Sequence, residues 1–158
     1  MKLIDKDIWK DKEVLDYIGI TTNSVINYKG HLVMGAGIAK EAKKRYPYSP
    51  EYFGEKITSK DCEGKFYGII KYLDIFAFQT KLHWRDKAPL AVVEASVNML
   101  NIIARNNTSK IFGLPFPAVN NGGRSQDEIL PLLEKLPDNV WVYKLQEEHK
   151  IKIDKGIE

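Results

Sequence analysis

The amino-acid sequence predicts an α/β domain in which helices cover both faces of one sheet. Two observations lead there. Short β-branched and aromatic runs alternate with segments whose apolar residues recur every three or four positions, the pattern of strands buried beneath helices. The chain also has the size of one such unit. Its 158 residues, 44% hydrophobic and 28% charged, fit a single globular domain with a substantial core.

Met1–Ile4 is a candidate first strand, and Tyr17–Thr22 is a β-branched run that ends at Asn23. From Gly37 to Tyr46 the pattern turns helical, with Ile38, Ala42 and Tyr46 spaced by four and Pro47 as the stop. Phe66–Leu73 and Ile75–Thr80 read as strands joined at Asp74. Leu90, Val93, Val97, Leu100 and Ala104 mark one helical face, and Pro89 suits a first-turn position. Ile111–Leu114 is a short apolar strand. Ser125 opens another helix through a Ser-x-x-Glu capping box with Glu128, and Ile129, Leu132, Leu133 and Leu136 form its buried stripe. Pro131 inside that stripe should remove a hydrogen bond and bend the helix. Val140–Tyr143 is the last strand, and residues 146–158 form a polar tail after a domain spanning 1–145.

Two loops carry the functional signal, because ligands of such sheets collect at the carboxyl ends of the strands. Val33-Met34-Gly35-Ala36-Gly37-Ile38-Ala39-Lys40 leads into a helix start, where glycines admit an anion to the backbone and unpaired N–H groups meet it. It lacks the third glycine of a dinucleotide fingerprint and the Gly-Lys-Ser/Thr of a P-loop. Asn120-Asn121-Gly122-Gly123-Arg124-Ser125 repeats the logic before the capped helix. Either loop alone is also a plain turn. Together they would hold a diphosphate between two helix starts.

At these residues the chain resembles the macrodomain family. The likeness is to the DarG and terminal ADP-ribose glycohydrolase branch and to small phage-encoded relatives. It is carried by ITTNS, VMGAGIAKEAKKRYP, FQTKLHW and LPFPAVNNGGRS, in family order, over roughly Lys6 to Lys144. The resemblance implies a three-layer α/β/α sandwich with a mixed central sheet and an ADP-ribose cleft. It places Asp7 and Ile8 at the adenine and Asn23 near the distal ribose. It assigns Gly35, Ala36, Gly37 and Ile38 to the first phosphate loop, and Asn121, Gly122 and Gly123 to the second, with Arg124 close by.

Lys81 matches the lysine implicated in glycosidic cleavage in that branch. The residues alone leave it as a solvated charge at a strand end or as a partly desolvated amine of lowered pKa. The resemblance selects the second. One departure stands out: Arg124 or its neighbour occupies the place of the aspartate that the terminal ADP-ribose enzymes pair with that lysine. Asp127 is near, but it falls in a helix first turn, where an acid is expected. DarG-like members carry Asn-Gly-Gly there, as this chain does.

The remaining candidates are weaker. His83 and Trp84 follow Lys81, either closing the strand or bordering the pocket, with Trp84 stacking or His83 assisting proton transfer. Trp9 and Trp141 read as packing, and Asp86 and Glu94 as surface acids or carboxylate helpers. His31, His83, His149 and Cys62 lack metal-ligand spacing, so no metal and no cofactor is expected. Cys62 is the lone cysteine, among acidic neighbours that disfavour a thiolate. The net charge of +3 fits an anionic ligand without marking a nucleic-acid binder. The local excess at Lys40, Lys43, Lys44 and Arg45 is a solvated helix face or a polyanion contact. No apolar run is long enough to span a membrane, so a cytoplasmic monomer with no membrane partner is expected.

The resemblance thus implies an enzyme that removes ADP-ribose from a modified macromolecule, DNA or protein, by breaking the bond at the distal ribose. The alternatives are a non-catalytic reader or sequestering protein for ADP-ribose or a related nucleotide, and a phosphatase acting on ADP-ribose 1″-phosphate.

Overall fold

The alternation of side chains along the strands builds the molecule in three layers. The computed structural model describes residues 1–60 and 65–144. In chain order these form β1 (Lys2–Asp5), a 3-10 turn (Ile8–Asp11), β2 (Tyr17–Thr22), α1 (Gly37–Arg45) and α2 (Ser49–Ser59). Then follow β3 (Ile69–Tyr72), β4 (Ile75–Gln79), α3 (Leu90–Arg105), β5 (Phe112–Pro115), α4 (Gln126–Leu133) and β6 (Val140–Lys144).

The strands make one six-stranded sheet in the order β1-β6-β5-β2-β4-β3. All neighbours pair in parallel except the β3–β4 hairpin, so the sheet is mixed, as expected. Parallel strands are buried on both sides, and the parity of the residues shows it. Ile18, Ile20, Ile75, Ala77 and Tyr143 face one core with Ala39 and Ala42 of α1 and Phe53 and Ile57 of α2. Phe76, Phe78, Leu114, Val140 and Val142 face the other, with Val93, Val97, Leu100 and Ala104 of α3 and Ile129 and Leu133 of α4. The α/β/α sandwich follows directly.

Several boundaries differ from the sequence expectation, each for a local reason. The 3-10 turn and α2 were not anticipated. Yet Pro50 in the first turn of α2 and the buried pair Phe53 and Ile57, four apart, carry an ordinary helical signal. The first arm of the hairpin is shorter than Phe66–Leu73, because Gly68 takes φ +77° and breaks the extended run. Leu90 is 36% exposed at the start of α3 and lies off the buried face, which Ser96 joins instead. Helix α4 stops at Leu133, two residues past Pro131, so Leu136 is buried from the following turn and Leu132 only partly. Cys62, His149 and the 146–158 tail lie outside the described residues.

Candidate functional site

Because β2, β4, β5 and β6 run parallel, their carboxyl ends lie along one edge of the sheet, and there a cleft of about 600 Å³ opens. Three strand spacings of about 4.8 Å separate β6 from β4, so the cleft floor is roughly 14 Å long. Asp7, Ile8, Tyr143 and Lys144 line one end; Thr80, Lys81 and Trp84 line the other.

The first loop forms one wall. Gly37 adopts φ +56°, a left-handed conformation that lets the chain turn from the loop into α1. A Cβ at Gly35 would project into open space, whereas one at Gly37 would touch Asn121 Nδ2 at 3.4 Å. The two loops therefore meet across the cleft. Helix α1 has neither a side-chain cap nor an acid in its first turn, so its N-terminal dipole is left for an anion.

The second loop is held differently. Ala118 takes φ +69°, and its carbonyl accepts from Arg124 N–H at 2.8 Å. Gly122 lies directly against that turn, since a Cβ there would come 2.5 Å from Ala118 O. Ala88 N–H donates to Gly122 O at 2.8 Å, and Arg124 Nε donates to Ala88 O at 2.7 Å. Helix α4 closes its own start with the Ser125–Glu128 capping box and with Asp127 and Glu128 in its first turn. That closure has an electrostatic consequence: two carboxylates already occupy the positive end of α4, and it does not present a second helix start to the cleft.

Lys81 joins the two sides. Its Nζ donates to Asn121 O at 2.9 Å, Trp84 O at 2.9 Å and Asp86 O at 3.3 Å. All protons of the ammonium are thereby used on backbone carbonyls. The residue is only 7% exposed. Burial pushes its pKa below the ordinary lysine value, and the nearby Asp86 carboxylate acts in the opposite sense.

Asn23, at the end of β2, is committed to loop geometry: its Oδ1 accepts from Val25 N–H at 2.8 Å and its Nδ2 donates to Val33 O at 3.2 Å. Tyr67 donates its hydroxyl to Asn23 O and pairs with Thr22 Oγ1 at 2.6 Å, and burial raises its pKa. At the opposite end Asp7 accepts from Trp9 N–H at 3.1 Å and starts the 3-10 turn that buries Ile8. Asp11 fixes that turn to the sheet. Hydrogen bonds from Lys6 and from the Tyr143 hydroxyl, the latter at 2.7 Å, hold its carboxyl below the usual carboxylate range against the opposing effect of burial.

No family model matches the chain. A DNA ADP-ribosyl glycohydrolase of Mycobacterium tuberculosis is 29% identical over 142 residues, covering 78% of this chain and 38% of that protein. The chain thus spans well under half the length of this curated relative. Among solved structures, the macrodomain of Mycobacterium tuberculosis DarG superposes with a TM-score of 0.68 at 25% identity, covering 90% of this chain and 96% of that one. The Thermosipho africanus DarTG complex with ADP-ribose gives a TM-score of 0.71 at 22% identity, over 96% of this chain and 43% of that one. The chain has the macrodomain fold.

In this fold the cleft collects Asp7, Ile8, Asn23, Gly35, Ala36, Gly37, Ile38, Lys81, Trp84, Asn121 and Gly122. Gly123, Arg124 and His83 are not among its lining residues. Arg124 is turned to Ala88 O and Glu128 Oε1, and it braces the second loop from behind. His83 accepts from Arg85 N–H through Nδ1 at 3.1 Å and lies against Trp84. Asp127 and Asp86 are exposed and also off the lining.

Sequence reasoning missed the floor, including Thr22, Thr80, Phe116, Ala118 and Tyr143, and the carboxylate of Glu41. Thr22, Thr80 and Tyr143 sit at or just past strand ends, a position that could have nominated them. Ala118 had no readable signal. Among the described residues no group of three or more His, Cys, Asp or Glu side chains could hold a metal ion. No helix there is long and apolar enough to cross a membrane.

Proposed function

We propose that this macrodomain binds ADP-ribose and removes it from a modified macromolecule by hydrolysing the bond at the distal ribose. Adenine would rest at the Asp7–Ile8 end. The diphosphate would lie between Gly35–Ile38 and Asn121–Gly122, and the distal ribose would reach Asn23 and Lys81. The relative from Mycobacterium tuberculosis is named for DNA, and the DarTG structure holds ADP-ribose. The second fact supports the ligand, and the first favours ADP-ribosylated DNA as the target over a protein ester.

One observation carries the reading: a buried ammonium, tied to the second loop through Asn121 O, stands at the end of the cleft opposite the adenine side. In hydrolysis the bond from the ribose anomeric carbon to the target breaks with oxocarbenium character. Water supplies oxygen to that carbon, and a proton goes to the departing atom. As an ammonium donating to three carbonyls, Lys81 has no lone pair to attack with, and its charge orients the ribose and the leaving group. To attack the anomeric carbon it would first lose a proton, which its burial makes easier.

A second reading, a non-catalytic ADP-ribose reader, draws on a different observation. Among the described residues Asp7 and Glu41 are the carboxylates on the cleft lining, and neither belongs to the elements that carry Lys81. On either reading the protein acts as a cytoplasmic monomer, with residues 1–145 as the working domain.

Titration calorimetry with ADP-ribose tests the shared core of both readings. Wild type should bind and Gly37→Glu should not, since a side chain at φ +56° is strained and its carboxylate would stand where the diphosphate lies. No binding by wild type would overturn both. Release of ADP-ribose from a modified oligonucleotide or peptide by wild type then separates enzyme from reader. Release of phosphate from ADP-ribose 1″-phosphate would point to the phosphatase instead.

A further inference from the structure

Gln79 ends β4 with an amide where the rest of that strand is apolar. It is fully buried, in register with Thr22 at the end of β2 and two residues before Lys81. An amide in a sheet interior costs free energy unless each of its polar positions is met. Here all of them are. Oε1 accepts from Tyr67 N–H at 2.7 Å and Gly68 N–H at 3.1 Å, while Nε2 donates to Lys65 O at 3.0 Å and Lys81 O at 3.3 Å. Two N–H donors on one side and two carbonyls on the other fix the orientation of the amide. From the α3 side, Ser96 Oγ donates to Gln79 O at 2.6 Å and anchors the residue's backbone.

The local cause is the break at Gly68. Its φ of +77° takes the chain out of the β3–β4 ladder, and the Gln79 side chain meets the N–H groups of Tyr67 and Gly68 instead. The segment held in this way carries a buried phenol to the back of the cleft. Tyr67 donates its one hydroxyl proton to Asn23 O, so Thr22 Oγ1 is the donor in its 2.6 Å contact with the phenol oxygen. Thr22 and Asn23 line the cleft, and Tyr67 and Gln79 do not. One chain of hydrogen bonds therefore runs behind the lining, from the Lys81 carbonyl through Gln79 and Tyr67 to Asn23. The ammonium of Lys81 is held from the other side, by the carbonyls of Trp84, Asp86 and Asn121.

We propose that Gln79 and Tyr67 are positioning residues for the distal-ribose end of the cleft, fixing Asn23 and Lys81 relative to one another without touching the ligand. This rests on the reading above that the distal ribose lies at Asn23 and Lys81. A misplacement of about 1 Å between reacting groups costs on the order of a hundredfold in rate, which is the physical reason for a rigid link between the two. The Asp7–Ile8 end and the Gly35–Ile38 loop belong to other elements, so the device acts on the distal ribose and not on the adenine or the diphosphate.

Two variants test it. Tyr67→Phe removes one hydroxyl and keeps both the buried ring and the N–H to Gln79. Gln79→Glu keeps the acceptor for Tyr67 and Gly68 and takes away the N–H donors to Lys65 O and Lys81 O. Each is compared with wild type in turnover of the ADP-ribosylated oligonucleotide or peptide that wild type accepts, and in calorimetric binding of ADP-ribose and of ADP. In Tyr67→Phe, kcat should fall about tenfold or more, a larger change than the rise in KM. ADP-ribose should bind roughly fivefold more weakly, the size of one hydrogen bond, while ADP, which lacks the distal ribose, should bind as it does to wild type. Gln79→Glu should follow the same pattern. The double variant should lose less than the product of the single losses, because both break one chain.

Equal losses on ADP-ribose and ADP would make the network a support of the whole fold and overturn the positioning role. Wild-type kcat and affinities in Tyr67→Phe, or single losses that multiply in the double variant, would overturn it as well. All three leave the ADP-ribose cleft standing. If wild type binds ADP-ribose without turning it over, the ratio of the ADP-ribose and ADP affinities decides, and if Gln79→Glu does not fold, Tyr67→Phe decides. Absence of ADP-ribose binding by wild type would remove the underlying reading and the positioning role with it.

Discussion

Replacing Lys81 with methionine separates its structural from its chemical contribution, and the expected size follows from its bonds. The side chain is buried, and its ammonium satisfies the carbonyls of Trp84, Asp86 and Asn121. Methionine keeps an unbranched apolar stem, one atom shorter, while removing every donor. At about 1 kcal/mol net per hydrogen bond, losing these three costs about 3 kcal/mol. For a domain of this size each kcal/mol moves Tm by about 2–4 °C, so Lys81→Met should melt roughly 6–12 °C below wild type. Differential scanning calorimetry at neutral pH is the assay. A Tm within about 2 °C of wild type would refute the reasoning, because the ammonium could not then be bridging the loops.

The same substitution should loosen ADP-ribose, since Asn121 loses its anchor to the β4 side. Loss of affinity in Lys81→Met therefore fits both an enzyme and a reader, and turnover by wild type is what separates them. The pH profile of that turnover then tells the two roles of Lys81 apart. If its neutral amine attacks, the rate rises as pH passes through a pKa held below 10.5. If its charge is what matters, the rate falls there.

Gly122→Ala should be the most damaging single methyl in the cleft, because the new Cβ meets Ala118 backbone at 2.5 Å with no side chain able to yield. Overpacking of this kind costs about 1–3 kcal/mol, readable in urea unfolding, and ADP-ribose affinity should fall with it. Arg124→Gln removes the brace from Ala88 O and Glu128 while leaving the cleft lining intact, so it should weaken ADP-ribose but leave AMP, which needs only the Asp7–Ile8 end and the nearer phosphate, largely unaffected in calorimetry. Asp11→Asn should lower stability at neutral pH by about 2 kcal/mol, the range for hydrogen bonds to a charged group. The folded pKa of Asp11 is depressed, so its contribution is full above its ordinary value of 3.8 and is lost as pH falls through the folded value; acid titration followed by circular dichroism should show a shallower fall in the variant.

How much of this was legible in the sequence depends on whether the signal was local. Strand and helix parity was local, and it placed β2, β4, α1, α3 and β6 within a residue or two. The turn of the first loop into α1 was legible as well, since a Gly-x-Gly before a helical stripe marks a helix start, although the same residues also read as a plain turn. Helix α2 was overlooked beside Pro47, although Pro50, Phe53 and Ile57 announce it. The partners of Lys81 were beyond reach. They are backbone carbonyls at Trp84, Asp86 and Asn121, and a carbonyl has no residue type to read. Arg124 illustrates the same limit: its position beside Gly123 pointed to the ligand, but whether a guanidinium turns toward the cleft or toward Ala88 O is set by a loop that closes forty residues from Lys81 in sequence.

The two helix starts explain how a cleft of modest charge could serve a diphosphate. Among the described residues its lining carries Lys6, Lys81 and Lys144 against Asp7 and Glu41, a surplus of one positive charge. The basic run of Lys43, Lys44 and Arg45 lies further along α1 and is not part of the lining, and Lys81 is spent on carbonyls. Side-chain charge alone would balance two phosphates poorly. The α1 start supplies what is missing, because it is uncapped and free of first-turn acids. Had both helices been left open, the second loop would lack the Ser125–Glu128 and Arg124 contacts that hold it in place. On the proposed reading the asymmetry has a use: the uncapped α1 start would receive the anion, while the closed α4 start keeps the loop facing it in place.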